Sequence, residues 1–176
     1  ILELVPIATH NQRGLGTLFV GTEQDLDAET LVDIVERSMS APIHDLLKRP
    51  DELFVVEHAH LQPRFVEDSV RHALRDALDT LPQLENEDFL LSKQVNYETI
   101  HTHDVVAERF GTVGELRGEL ETGQASTRQT TLAGWLAQVG GTPLAFTVVG
   151  ATALVTIAVA SARRSQALAL REQATS

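Results

Sequence analysis

The chain has 176 residues, enough for one folded domain with a hydrophobic core and an appendage but not for two large domains. It has no cysteine, which excludes a disulfide scaffold, a thiol nucleophile and a cysteine-ligated metal within these residues. Its 14 basic against 25 acidic side chains, a formal net charge of −11, argue against a nucleic-acid partner, whose backbone recruits Lys and Arg; a small anion held by a few placed cations remains open.

In chain order, Gly14–Glu23 (GLGTLFVGTE) is apolar and partly β-branched and predicts a strand. Asp27 is placed to cap a helix over Glu29–Met39, where Leu31, Ile34, Val35 and Met39 recur at helical spacing. Pro42 opens a further helical turn that runs to Arg49, ahead of Pro50, and Leu53–Val56 is a short apolar run. Pro63 stands at the start of a long helix, Arg64–Leu81, stopped by Pro82. Its buried stripe is Phe65, Val66, Val70, Ala73, Leu74, Ala77, Leu78 and Leu81. Phe89–Ile100 and Asp104–Phe110 predict two more strands. The order strand, helix, helix, strand, strand implies an α+β layer, with helices on one face of an antiparallel sheet.

The charge breaks sharply along the chain. Residues 1–121 carry 10 Lys/Arg and 24 Asp/Glu, whereas residues 122–176 carry 4 Arg and 1 Glu. Such a shift marks a boundary, with 1–120 as the folded unit and the polar stretch 121–131 (ETGQASTRQTT) as a linker. An apolar segment, 132–164, and a tail, 165–176, follow. Pro143–Ala162 is 20 residues without a charge. As a helix it would rise about 30 Å, the thickness of bilayer hydrocarbon. Trp135 ahead of it and Arg163–Arg164 behind it are placed as interfacial anchors. Its Val and Thr content also suits a buried strand pair.

Of seven histidines, His101 and His103 stand out, because an HxH pair on a strand turns both rings to one face, a spacing that recurs among metal ligands. Glu98 lies three residues before His101, so joint use of the two requires a bulge or a bend. The stretch Leu46–Glu52 (LLKRPDE) packs two cations, a Pro and two acids into one turn. It reads either as a solvated helix end or as a polar lip where Lys48 and Arg49 meet a phosphate. Glu67 and Asp68 open a helix, where the dipole favours carboxylates without any further role.

Four strings occur in order: HNQRG at His10–Gly14, LLKRPDE at Leu46–Glu52, PRFVEDSVR at Pro63–Arg71 and ETIHTHD at Glu98–Asp104. Together they resemble the type IB GTP cyclohydrolases, most closely their archaeal branch. The resemblance covers about residues 9–120, and AERFGTVGELRGE after the HxH pair is similar to the family's C-terminal end. It implies a tunnelling-fold (T-fold) unit, with two helices inserted between strands of an antiparallel sheet. It also implies two such units in tandem, of which this chain matches the C-terminal half, and a homo-oligomer with sites between subunits.

Carried over motif by motif, the resemblance implies that His10, Glu52 and His101 hold a divalent metal, Fe(II) first and Mn(II) or Zn(II) as alternatives. Glu98 would anchor the guanine ring of GTP. Arg13, Lys48 and Arg49 would contact phosphate, and His103 and Glu67 would act in catalysis. These types suit the chemistry. A metal lowers the pKa of water for attack on an imidazole ring, and a carboxylate accepts the paired guanine donors that adenine lacks. The family also uses a cysteine ligand upstream of HNQRG, so the metal site of this cysteine-free chain is expected to be incomplete. The expected activity is ring opening with formate release, giving a dihydroneopterin phosphate for folate or methanopterin synthesis in the cytoplasm. The alternative is a non-catalytic homologue, tethered to a membrane through 143–162, that acts as a binding or assembly module.

Overall fold

A computed structural model describes residues 12–139, together with the backbone of two strands over 144–151 and 154–160. The elements run β1 (Arg13–Thr22), α1 (Ala28–Ser38), α2 (Arg49–Leu61), α3 (Val66–Thr80), β2 (Phe89–Tyr97), β3 (Val105–Thr112), α4 (Val113–Thr122), α5 (Leu132–Val139), β4 (Leu144–Ala151) and β5 (Leu154–Ala160). The class is α+β. All strand pairs are antiparallel, in the order β3-β2-β1, continued beyond β1 by β4 and β5. β1 therefore lies inside the sheet, and its pairing with β2 runs from Arg13↔Tyr97 to Gly21↔Phe89.

The period-two alternation of β1 decides which face is covered. Gly16, Leu18, Val20 and Thr22 are buried on one side, where α1 and α3 pack. Leu31, Ile34 and Val35 from α1 meet Val70, Leu74, Ala77 and Leu78 from α3 over Leu18, Val20 and Leu90. Gly16 is required by this approach: a Cβ there would lie 2.8 Å from Val35 Cγ1. The start of α1 is set locally, since the Asp27 carboxylate accepts from Thr30 N at 2.9 Å and from Thr30 Oγ1 at 2.8 Å. Those bonds also hold its pKa below the ordinary aspartate value.

Three local expectations are corrected. Pro50 does not end a helix; it sits in the first turn of α2, where its missing N–H is one that no helical carbonyl would have accepted. The chain from Pro42 to Lys48 is irregular, and Leu53–Val56 lies within α2. Phe65 is not part of the α3 stripe. It is the N-cap residue and 78% exposed, while Asp68 Oδ2 accepts its N–H at 3.1 Å.

The second face of the sheet is covered at one end by α5. Phe89 is packed between Phe19, Phe110 and Trp135, with ring centroids at 6.1, 6.3 and 5.6 Å. Trp135 is 2% exposed and donates its Nε1–H to the Glu87 carbonyl at 2.7 Å. It is a core residue rather than an interfacial anchor. The stretch 143–162, a possible membrane span by its sequence, contains the antiparallel strands β4 and β5, in keeping with the strand-pair alternative. No helix among the described residues is long and apolar enough to cross a membrane.

α4 ends at Gly123, whose φ of 68° is the left-handed conformation a helix C-terminus favours. The polar stretch after it is tied back to the body. The Glu115 carboxylate accepts from Thr112 N at 3.0 Å, Thr130 N at 3.1 Å and Thr130 Oγ1 at 2.6 Å. Glu119 accepts from Ser126 N at 2.7 Å and pairs with Arg109. Burial pushes the Glu115 carboxyl up, but the bonds from Thr130 and Thr112 and the charge of Arg128 outweigh it, so its pKa lies below the ordinary value.

Candidate functional site

The end of the sheet where β1 begins and β2 ends gathers two of the sequence motifs. Because Arg13 pairs with Tyr97, the residues just outside the ladder, Gln12 and Glu98, fall side by side. Gln12 Nε2 donates to Glu98 Oε1 at 2.9 Å, in a partly buried setting. The Glu98 N–H in turn donates to Asp104 Oδ1 at 3.1 Å, closing the segment between them into a loop. One carboxylate is thus fixed through its side chain by HNQRG and through its main chain by the last residue of ETIHTHD.

β2 ends at Tyr97, so Glu98, His101 and His103 are not on a strand, contrary to the expected strand to Ile100. The loop supplies the bend that joint use of Glu98 and His101 demands. It still brings the two imidazoles together: the rings stack at 5.8 Å with 29° between planes, and both residues are exposed. On the helix-covered face of β2, Gln94 Nε2 donates to Asn96 Oδ1 at 2.8 Å, beside Gly14. Arg13 is exposed at the first position of β1. His10 lies outside the described residues.

The remaining candidates sit elsewhere on the chain. Lys48 is the N-cap residue of α2, with its N–H donating to Asp51 Oδ2 at 2.9 Å; Arg49 and Glu52 follow in the first turn, and all three are exposed. They adjoin a groove of about 290 Å³ lined by His44, Leu46, Leu47, Asp51, Phe54 and Val55. Glu67 is exposed in the first turn of α3. Among the described residues no three His, Asp or Glu side chains converge closely enough to hold a metal ion. His101 and Glu52 are suitable donors by type, yet the described residues alone assemble no complete donor set.

The model of the type I GTP cyclohydrolase folE2 family matches residues 1–107. The chain belongs to this family. All four motif strings lie inside the matched region. Among individual relatives, the GTP cyclohydrolase MptA of Methanocaldococcus jannaschii is 46% identical over 122 residues, 68% of this chain and 39% of its own length. That of Methanosarcina acetivorans is 46% identical over 121 residues, 68% of this chain and 38% of its own. That of Methanococcus aeolicus is 45% identical over 123 residues, 69% and 40%. The chain thus spans about two fifths of the length of the curated relatives it matches.

Two residues of the cluster, Gln12 and Asp104, carry no role in the sequence-based assignment. Their only signal in the sequence is membership of HNQRG and ETIHTHD; that they touch Glu98 is a matter of strand register and loop closure.

Proposed function

We propose that this chain forms part of a GTP cyclohydrolase that opens the guanine imidazole ring, releases formate and yields a dihydroneopterin phosphate for pterin biosynthesis. The observation that carries this reading is the Glu98 carboxylate fixed by Gln12 and Asp104, on the same loop that pairs the His101 and His103 rings. A carboxylate held in one plane accepts the guanine N1–H and 2-amino donors together, and adenine, lacking that pair, would leave a desolvated acid unmatched. Arg13, Lys48 and Arg49 are the cations for the phosphates. His103 and Glu67 are the groups for proton transfer.

His10, His101 and Glu52 are the donors for a divalent metal, with Fe(II) first and Mn(II) or Zn(II) as alternatives. When bound, such an ion makes hydroxide available near neutrality. The reading includes a T-fold unit and a homo-oligomer in the cytoplasm, with sites shared between subunits. α2 supports the shared site: it buries none of its residues, and Leu53, Phe54 and Leu61 are all more than half exposed beside the Lys48–Glu52 stretch.

A non-catalytic binding module is the second reading. One experiment separates them. Full-length protein is incubated anaerobically with Fe(II) and GTP, and formate and pterin fluorescence are followed. Stoichiometric formate that disappears in Glu98→Gln supports the cyclohydrolase. No formate with Fe(II), Mn(II) or Zn(II) overturns it in favour of the binding module.

A further inference from the structure

We infer that Gln12 is a positioning residue that presents Glu98 to the base and thereby sets the preference for guanine. The inference rests on the proposed role of Glu98. A glutamate side chain has a broad terminal torsion, so its carboxylate plane is free unless something holds it. Here Gln12 Nε2 holds it through a 2.9 Å bond to Oε1, across 86 residues of sequence. A carboxylate has about four acceptor positions, so a bond from Gln12 that sets the plane is compatible with two donors from the base.

The residue type matters. A Lys or Arg at this position would be a counter-ion competing with the base for Glu98. An Asp or Glu would repel it. An amide is neutral and donates from Nε2, so it orients the acid without neutralising it. The opposite end of Glu98 is fixed as well, since its N–H is bonded to Asp104 Oδ1 at 3.1 Å. With backbone and carboxylate both held, less side-chain freedom is lost when the base binds. The reason Gln12 can reach is the ladder: the last β1–β2 pair is Arg13↔Tyr97, and both chains leave it together.

The test is a double-mutant cycle on GTP binding to metal-free full-length protein by calorimetry, with inosine triphosphate as the base lacking the 2-amino group. Gln12→Leu is expected to weaken GTP by about tenfold, the cost of ordering one side chain, and to reduce the preference for GTP over inosine triphosphate. In a Glu98→Gln background the same change should alter binding by less than about twofold, because Gln12 acts only through Glu98. Should Gln12→Leu not fold by circular dichroism, Gln12→Asn, too short to reach Oε1, is used with the same expectation. Equal weakening in both backgrounds, or an unchanged preference between the two nucleotides, overturns the inference while leaving the cyclohydrolase reading intact. Absence of GTP binding and of formate release in the unsubstituted protein overturns both.

Discussion

The indole N–H of Trp135 donates to the main-chain carbonyl of Glu87 at 2.7 Å, and the same ring lies 5.6 Å from Phe89. This stitches α5 to the turn that leads into β2, on the sheet face opposite α1 and α3. A buried indole with its one donor satisfied delivers its full apolar burial to stability.

Trp135→Ala should therefore destabilise the fold by about 3–5 kcal/mol in urea unfolding. The chain has a single Trp, so fluorescence reads this site alone. Gly21→Ala is the companion: its Cβ would lie 2.4 Å from Trp135 Cη2. The emission of Gly21→Ala should shift to the red as the ring is displaced toward water. An unshifted spectrum would mean that Trp135 does not sit over Gly21.

Gly16 tests the other face. A Cβ there would lie 2.8 Å from Val35 Cγ1, a branched side chain locked in the core. Gly16→Ala should cost about 1–3 kcal/mol through displacement of α1. Pairing it with Val35→Ala should recover part of the loss in a double-mutant cycle.

Glu115 gives a pH dependence with a definite sign. Its folded pKa is below the ordinary value of 4.5. The stability it contributes is therefore fully present above about that pH and is lost as the pH falls through the folded value. The stability difference between the unsubstituted protein and Glu115→Gln should be constant near neutrality and shrink on acidification below pH 4.5. Thr130→Val removes the hydroxyl bond at 2.6 Å and should weaken the same acid-sensitive contribution. Urea midpoints measured from pH 3 to 7 check both.

The stacked histidines should separate by role. His101→Ala is expected to lower the divalent-metal content of the purified protein, and His103→Ala to keep the metal while lowering kcat for formate release. Elemental analysis beside the formate assay distinguishes them. Equal metal loss in both variants would make His103 a ligand as well.

Much of the architecture is legible in the sequence because it is enforced by neighbours in the chain. Leu31, Ile34 and Val35 fall on one side of a helix by the 3.6-residue repeat alone, and Asp27 bonds to Thr30 three residues away. The alternation of β1 and the stop at Pro82 are local in the same sense. The four ordered strings carry the family because they are contiguous runs.

Distance along the chain is what hides the rest. Pro50 is compatible with a helix end or a helix first turn, and only the folded path of residues 42–48 chose the second. A charge-free run satisfies a membrane helix and a sheet hairpin alike, since both meet the backbone's hydrogen bonds. The choice for Leu144–Ala151 and Leu154–Ala160 came from the second edge of β1, which pairs with β4 from Leu15↔Ala151 to Thr22↔Leu144. By position along the chain Trp135 suits an interfacial anchor, whereas in the fold the ring cluster around Phe89 encloses it. At the candidate site, Glu98, His101 and His103 are readable from one contiguous motif string. That Gln12, 86 residues away, holds the acid follows from the fold alone, because that hydrogen bond exists only once β1 and β2 are in register.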